Sequence, residues 1–474
     1  MSIADFIRKK KKQLLVKFLT TSNPDKIVEE GEKKLIKSFR RAALNVPAYR
    51  KILEEKKVDI DKVKDIASFR KLVPIIDKEA TFVRFPLEEL CIDGYKDVEF
   101  IMLSSGHSKK FSFNVVTEDD RKMTKKKVDL LLDLFCNTSE KKTFLINFEP
   151  MAVRVETSLL FAETSVRSDS VIALVKQMKD VVDQFIIAGD SSFLKKIVED
   201  GIENGIDWKS LNVWVITGGY WFSESFREYI MDLMGMDFSN PSKGLYLATY
   251  GVTELGGIGL FLETFETARI RNIAQKDEKL RYALFKEDVD ACPFIFQYFP
   301  NKIFLESLPS NSLYSELVFS MLDTKMKMPL IRYNTNDCGK IFRYEEFKDV
   351  LIKAGYKYLI PKYKLPVVCV GGRKKDIISI GKRKISPSDI KEAVYRYHDV
   401  ASSISGNFII DTRNGIKVEF QLKRGKRKTK ALVKKIKNAI KELKGFSLPV
   451  RLHEFYEFLH QMEIDYERKF RHVI

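Results

Sequence analysis

Three segments bring together side chains whose types and order suit chemistry at phosphate and sugar groups. Ser104-Ser105-Gly106-His107-Ser108-Lys109-Lys110 follows the apolar run Phe100 to Leu103. Backbone amides and small hydroxyls in such a turn can cradle a phosphate while lysine charge offsets it; an ordinary Ser/Gly/Lys turn is the plain alternative. Tyr250-Gly251-Val252-Thr253-Glu254 closes the strand-like run Leu245 to Thr249. A carboxylate at the C-terminal end of a strand, beside an aromatic ring and a glycine, is suited to holding a metal ion next to a flat heterocycle. Arg332-Tyr333-Asn334-Thr335-Asn336-Asp337 follows Pro329-Leu330-Ile331. A fixed carboxylate there can accept both hydroxyls of a ribose, with an Asn-rich turn as the competing reading.

The elements that must position these groups are legible as alternating runs. Ile27 to Leu53 reads as helix from apolar residues near a 3.6 period, and Lys125 to Leu134 likewise. Phe100 to Leu103 has the pattern of a buried strand ending in a turn. Strand-like Thr143 to Asn147, Val213 to Thr217 and Gly244 to Thr249 alternate with helical stretches around Phe193 to Glu203 and Ser223 to Met234, which predicts an α/β architecture with mostly parallel sheets. From about 291 to 345 short β-type segments follow one another, Phe294 to Phe299, Ile303 to Glu306, Ser315 to Met321 and Leu330 to Tyr333, predicting a β-rich subdomain. Leu365 to Val370 then meets Gly371-Gly372-Arg373-Lys374-Lys375. Beyond it, a helix begun by Ser386 and Pro387, a strand Gly415 to Leu422 and an amphipathic helix Thr429 to Leu443 stopped by Gly445 predict a small α+β domain. The expected organisation is a helical lead-in over 1–80, a large body over 81–371 and a small mobile C-terminal α+β domain over 372–474.

The chain has 474 residues, 45% of them hydrophobic, enough for more than one lobe. Its formal charge of +18 is uneven: residues 351–474 hold 29 basic and 12 acidic side chains, so the rest is nearly neutral. A disordered polybasic protein is excluded. Five scattered cysteines without a C-x-x-C pair argue against a disulfide framework or a structural zinc site. No run approaches the ~18 apolar residues of a membrane span, and the start lacks the apolar core of a secretion signal, so a cytoplasmic protein is expected. Between Ile3 and Leu19, Arg8 and Lys9 to Lys12 interrupt apolar residues at roughly helical spacing. Such a helix can lie on an anionic membrane surface; the plainer expectation docks its apolar side on the body.

In sequence order, a Ser/Gly/Lys loop, a YGxTE strand end, an RYxTxD turn, a GRxxD hinge and a late lysine resemble the adenylate-forming superfamily, in particular its phenylacetate–CoA ligase, coenzyme F390 synthetase and CapK-like branch. The resemblance runs from about Phe100 to the C-terminus, with 146 residues from Ser104 to Tyr250 and 83 from Glu254 to Asp337. It implies ATP-dependent activation of a carboxylic acid as acyl-AMP, then transfer to a thiol of CoA or a carrier protein, with Mg2+ as the cation. Transfer to an amine and a catalytically silent scaffold are the alternatives. The implied nucleotide-binding residues are Ser104, Ser105, Gly106, Ser108 and Lys110 in the phosphate loop, Gly218 and Gly219 at the adenine side, Tyr250 on the adenine with Gly251 and Thr253 beside it, Asp337 on the ribose, and Arg332 near the phosphate or ribose. Glu254 would bind magnesium, Arg373, Lys375 and Asp376 would form the hinge, and Lys469 would be the mobile lysine of adenylation.

The chain departs from the family's usual S-S-G-T-T-G-K-P loop: His107, Lys109 and Phe111 replace the first Thr, the second Gly and the Pro, the main support for the scaffold alternative. The cluster Lys423, Arg424, Lys426, Arg427, Lys428 and Lys430 can steer CoA or an acidic carrier to the site. It lacks the interleaved aromatics that stack bases, so a nucleic-acid partner is not expected.

Overall fold

The computed structural model describes residues 3–104, 111–150, 153–219, 221–256, 261–287, 289–323, 325–381, 383–458 and 472–474. The expected first helix is two, Pro24–Asn45 and Pro47–Glu55. Pro47 disfavours helical geometry in the preceding residue, and Val46 is extended at φ −100° and ψ 111°. Asn23 caps the first of the pair by accepting from the amides of Asp25 and Lys26. Leu35, Phe39, Tyr49 and Phe69 of this lead-in are buried in the main core.

One 11-stranded sheet spans the body. At one end Leu160–Glu163, Thr143–Asn147, Gln184–Asp190, Val213–Gly218 and Tyr246–Tyr250 pair in parallel. The remaining six pairings are antiparallel, through Phe261–Leu262, Phe294–Tyr298, Val367–Arg373, Tyr333–Phe342, Glu316–Met321 and Ile303–Leu308. The α/β expectation therefore holds with a mixed rather than mostly parallel sheet. The short β segments thus continue that sheet from the Tyr246–Tyr250 strand, and the hairpin-length connection from Ile303–Leu308 to Glu316–Met321 joins antiparallel neighbours as it must. The expected buried strand at Phe100 is instead exposed: Val98–Leu103 pairs only with Phe113–Thr117, and Phe100, Ile101 and Leu103 are 37%, 41% and 48% exposed.

Behind the Tyr246–Tyr250 strand lies a buried charge cluster. Glu263 accepts from Arg227 Nη2 at 2.7 Å and from the Ala248 amide at 2.6 Å, while Glu224 lies 3.2 Å from Arg227 and 2.7 Å from Arg271. Glu263 thus tethers the middle of the strand that ends in Tyr250. Burial pushes its carboxyl above the usual range, and Arg227 and Arg271 hold it down.

The last 100 residues form a small α+β lobe, with the three-stranded sheet of Ile404–Asp411, Lys417–Leu422 and Val450–His453 backed by the helices Pro387–Tyr395 and Lys430–Lys444. Both helix starts follow the sequence reading, with Ser386 and Thr429 as side-chain caps and Gly445 at φ +69° closing the second. The lobe docks on the body through buried polar contacts. Lys391 Nζ donates to the Trp221 carbonyl at 2.9 Å, the Ser225 amide donates to Glu392 Oε2 at 3.1 Å, and Lys195 Nζ reaches the Ile404 carbonyl at 2.9 Å and Glu199 at 2.6 Å. Lys423 bridges back to Glu199 and Glu203 at 3.0 and 2.6 Å.

Glu263→Ala leaves buried Arg227 with Glu224 alone and the Ala248 amide without its acceptor, and should cost about 3–5 kcal/mol in denaturant unfolding. A second expectation concerns pH. Burial pushes Glu392 up to about 7, opposed by the Ser225 amide and Arg396 and reinforced by Glu224. Burial also lowers Lys391 to about 8, opposed by Asp190. A carboxyl raised on docking favours the docked lobe below its usual 4.5, and that contribution is lost as pH rises through about 7. A lysine lowered on docking adds stability only as pH rises from about 8 toward its usual 10.5. From these two groups docking is weakest between about 7 and 8. The stability difference between the protein and Glu392→Gln should therefore change between pH 4.5 and about 7, followed by thermal unfolding and by proteolysis at residues 374–386.

Candidate active site

The site is built where two strand ends cross. Tyr250 ends the Tyr246–Tyr250 strand and Glu254 lies in the short turn Thr253–Leu255 that follows. Tyr333 and Asp337 lie on the Tyr333–Phe342 strand. The Tyr250 hydroxyl donates to Asp337 Oδ2 at 2.7 Å, and the Tyr333 hydroxyl donates to Glu254 Oε1 at 3.0 Å. Each segment's tyrosine thus holds the other segment's carboxylate, and all four side chains are buried. Glu254 and Asp337 are thus held by the same pair of segments.

Local backbone features aim Asp337. Between Val318, which pairs with Asn334, and Glu316, which pairs with Cys338, the register slips and the longer strand bulges. Asn336 sits at φ +62°, a left-handed conformation that asparagine tolerates, and its amide donates to Asn334 Oδ1 at 2.8 Å. The antiparallel pairing then sets Asp337 opposite Arg373, whose Nε donates to Asp337 Oδ1 at 3.0 Å. Asp337 raises the Arg373 pKa further. Gly372, paired with Cys338, lies at φ +93°, a position that strains any residue with a Cβ. Lys375 is exposed and Asp376 half-buried in the turn Lys374–Asp376 just beyond.

Tyr250 is 6% exposed and sits in an aromatic cluster. Its ring centroid lies 5.6 Å from Trp221, 4.9 Å from Phe261 and 5.9 Å from Phe296. Burial, then the neighbouring Asp337 charge, raise the Tyr250 pKa well above the usual tyrosine value, so it stays a donor. Expected as a platform for adenine, Tyr250 is also the hydrogen-bond donor that fixes Asp337, and half-buried Trp221 is the more open ring beside it. Gly218 ends the neighbouring strand, where a Cβ would meet Thr249 Cγ2 at 2.9 Å, and Gly219 follows at φ +72°.

Of the expected phosphate loop, Ser104 lies at its neck. Its amide donates to the Ser112 carbonyl and its hydroxyl accepts from the Ser112 amide, both at 2.9 Å. The hairpin that carries the loop packs against the Thr253–Leu255 turn, bringing its base beside Glu254. Ser105, Gly106, Ser108 and Lys110 lie outside the described residues, as do Tyr220 and Lys469.

Arg332 departs from its expected place near phosphate or ribose. It lies buried, its Nε and Nη2 each 3.0 Å from the two oxygens of Glu306, and Nη1 donates to the carbonyls of Arg70 and Val73. A bidentate partner and two carbonyls occupy the guanidinium fork, so Arg332 ties the helical lead-in to the sheet.

The lead-in supplies a cation that motif reading did not single out. Ile76 pairs with Tyr333 through backbone bonds, Ile76 N–H to the Arg332 carbonyl at 3.0 Å and Asn334 N–H to the Ile76 carbonyl at 2.8 Å. Lys78 follows two residues later, half-buried. Burial lowers its pKa first, Glu254 raises it, and Arg373 and Lys375 lower it. Lys78 thus feels the charge of both Glu254 and Arg373. Only the proximity of Pro74 marks this segment in the sequence.

A single buried carboxylate suits Mg2+, which usually keeps waters and substrate phosphates in its shell rather than a full protein cage. Glu254, with one oxygen fixed by Tyr333, has that form. Among the described residues no cluster of three His, Cys, Asp or Glu side chains forms a complete metal cage.

No protein-family model matches the chain, and no curated protein matches its sequence. Solved structures match along nearly its whole length. 2-Hydroxyisobutyryl-CoA ligase in the postadenylation state with 2-HIB-AMP has a TM-score of 0.69 at 13% identity, covering 97% of this chain and 91% of that one. The same ligase with R3-HIB-AMP gives a TM-score of 0.67 at 13% identity, with coverage of 97% and 91%. In the thioesterification state with 2-HIB-AMP and CoA it gives 0.56 at 12% identity, with coverage of 97% and 91%. The chain thus shares the fold of 2-hydroxyisobutyryl-CoA ligase along nearly its whole length.

Proposed function

We propose that this protein activates a carboxylic acid as its acyl-adenylate with ATP and then passes the acyl group to a thiol, with CoA as the first candidate. The observation that carries this reading is the crossed pair of hydrogen bonds, Tyr250 to Asp337 and Tyr333 to Glu254, with Arg373 bonded to Asp337. A solved structure of the same fold is described with an acyl-AMP and CoA, which supports the order of steps.

In the first step the substrate carboxylate attacks the α-phosphorus of ATP and pyrophosphate leaves, so charge builds on phosphate oxygens and must be offset by fixed cations. Asp337 would accept the ribose hydroxyls on lone pairs left by Tyr250 and Arg373, a carboxylate having about four acceptor sites. Glu254 would hold Mg2+, which supplies positive charge to the phosphates. The Ser104–Lys110 loop would contact the phosphates, and Lys469 would approach them from the small lobe. In the second step a thiolate attacks the acyl carbon and AMP leaves. Arg373, Lys375 and Asp376, where body meets small lobe, would be the hinge that exchanges Lys469 for the thiol. The basic cluster from Lys423 to Lys430 would attract the CoA phosphates or an acidic carrier.

Pyrophosphate exchange with a panel of hydroxy, aromatic and fatty acids tests the reading, and absence of exchange with every acid would reject it. Glu254→Gln should reduce exchange about a hundredfold or more while ATP still protects the fold against heat. Asp337→Asn should act chiefly through a raised KM for ATP. Lys469→Ala should depress adenylation far more than ATP binding.

A further inference from the structure

The first helix, Ile3–Thr21, docks on the body through a face that mixes charged and apolar side chains and leaves other apolar residues outward. Toward the body it turns charge: Lys9 lies 2.9 Å from Glu140, Lys12 donates to Asn137 at 2.7 Å and lies 3.6 Å from Asp133, and Arg8 donates to Ser158 at 3.3 Å. Leu15, Val16 and buried Leu19 complete that contact against Leu134, Tyr363 and Leu365. Outward it turns Phe6, Ile7, Leu14 and Phe18, which are 49%, 47%, 68% and 43% exposed. These four fall within one third of the helix circumference at about 100° per residue. The exposed residues between and beside them are Lys10, Lys11, Gln13, Lys17 and Thr21, with no carboxylate. Lys10 lies over the Phe6 ring at 5.8 Å.

The pattern extends past the helix. Ser158, which holds Arg8, stands two residues before Leu160, and Leu160 and Phe161 on the edge strand of the large sheet are 56% and 38% exposed. No described helix is long and apolar enough to cross a membrane. An outward row of large apolar side chains bordered by lysines is instead the form that lies in the plane of a bilayer interface. Because carboxylates on the body answer Lys9 and Lys12, the exposed charges on this face of the helix are Lys10, Lys11 and Lys17, which match anionic headgroups. Two copies meeting face to face through this row would oppose lysine to lysine, which disfavours a symmetric dimer there.

We propose that this helix face, with the adjoining sheet edge, is a peripheral docking surface for an anionic lipid bilayer. Side chains Leu14 and Phe18 enter the interface and Lys10, Lys11 and Lys17 meet the headgroups. The site is separate from the nucleotide cleft and does not depend on the reading of that cleft.

Sedimentation of the full chain with vesicles tests it. The protein should pellet with phosphatidylcholine vesicles containing phosphatidylserine and not with phosphatidylcholine alone, and rising salt should release it. Leu14→Glu with Phe18→Glu should weaken binding about tenfold or more, and Lys10→Glu, Lys11→Glu and Lys17→Glu together should weaken it as well. Both variants alter exposed positions, so unchanged unfolding midpoints serve as the control. Equal behaviour with the two kinds of vesicle, or wild-type binding by either variant, would overturn the proposal. So would a solution mass of two copies that Leu14→Glu with Phe18→Glu converts to one.

Discussion

Two buried carboxylates with one tyrosine each, exchanged between two chain segments, are the constraint on which the rest of this site depends. A buried carboxylate without a donor is strongly destabilising, and so is a buried phenol without an acceptor. Here Tyr250 and Tyr333 each satisfy the other segment's acid, so neither segment can shift without orphaning a group in both. The surrounding fold reinforces that crossing. Glu263 grips the Ala248 amide one turn of the pleat before Tyr250, and the bulge at Asn336 turns Asp337 toward both Tyr250 and Arg373. The site's rigidity thus comes from sheet register and hydrogen bonding together rather than from loop packing.

Much of this was readable in the sequence because it was local. Ser386 and Thr429 have the side chains that cap helices, Gly445 has the freedom that ends one, and the segments around Tyr250, Asp337 and Gly372 carry recognisable residue orders. What escaped was set by distant partners. Arg332 stands in a motif beside a nucleotide-binding candidate, yet Glu306 and the carbonyls of Arg70 and Val73 claim it. Lys78 acquires meaning only through the backbone pairing of Ile76 with Tyr333. Trp221 matters because it folds against Tyr250, which no spacing reveals. The Val98–Leu103 strand is apolar enough for a core but lies in an isolated hairpin.

Periodicity has a related blind spot. In the Ile3–Thr21 helix it separates two faces, but which face meets the body is decided by what the body offers. The acids Asp133 and Glu140 draw Lys9 and Lys12 inward beside Leu15, Val16 and Leu19 and leave Phe6, Ile7, Leu14 and Phe18 outward. The same ambiguity affects strands: a short connection sets the antiparallel direction of Ile303–Leu308 and Glu316–Met321, while Phe294–Tyr298 pairs with Phe261–Leu262 across two helices, an arrangement that no spacing reveals.

The hydrogen bond from Lys391 to the Trp221 carbonyl adds a direct tie between the small lobe and the aromatic cluster. Trp221 is the ring packed beside Tyr250, and Lys391 belongs to the first helix of the small lobe. Any displacement of that helix would leave this carbonyl to water or to a new donor. A single peptide oxygen thereby couples the position of the lobe to the ring beside Tyr250.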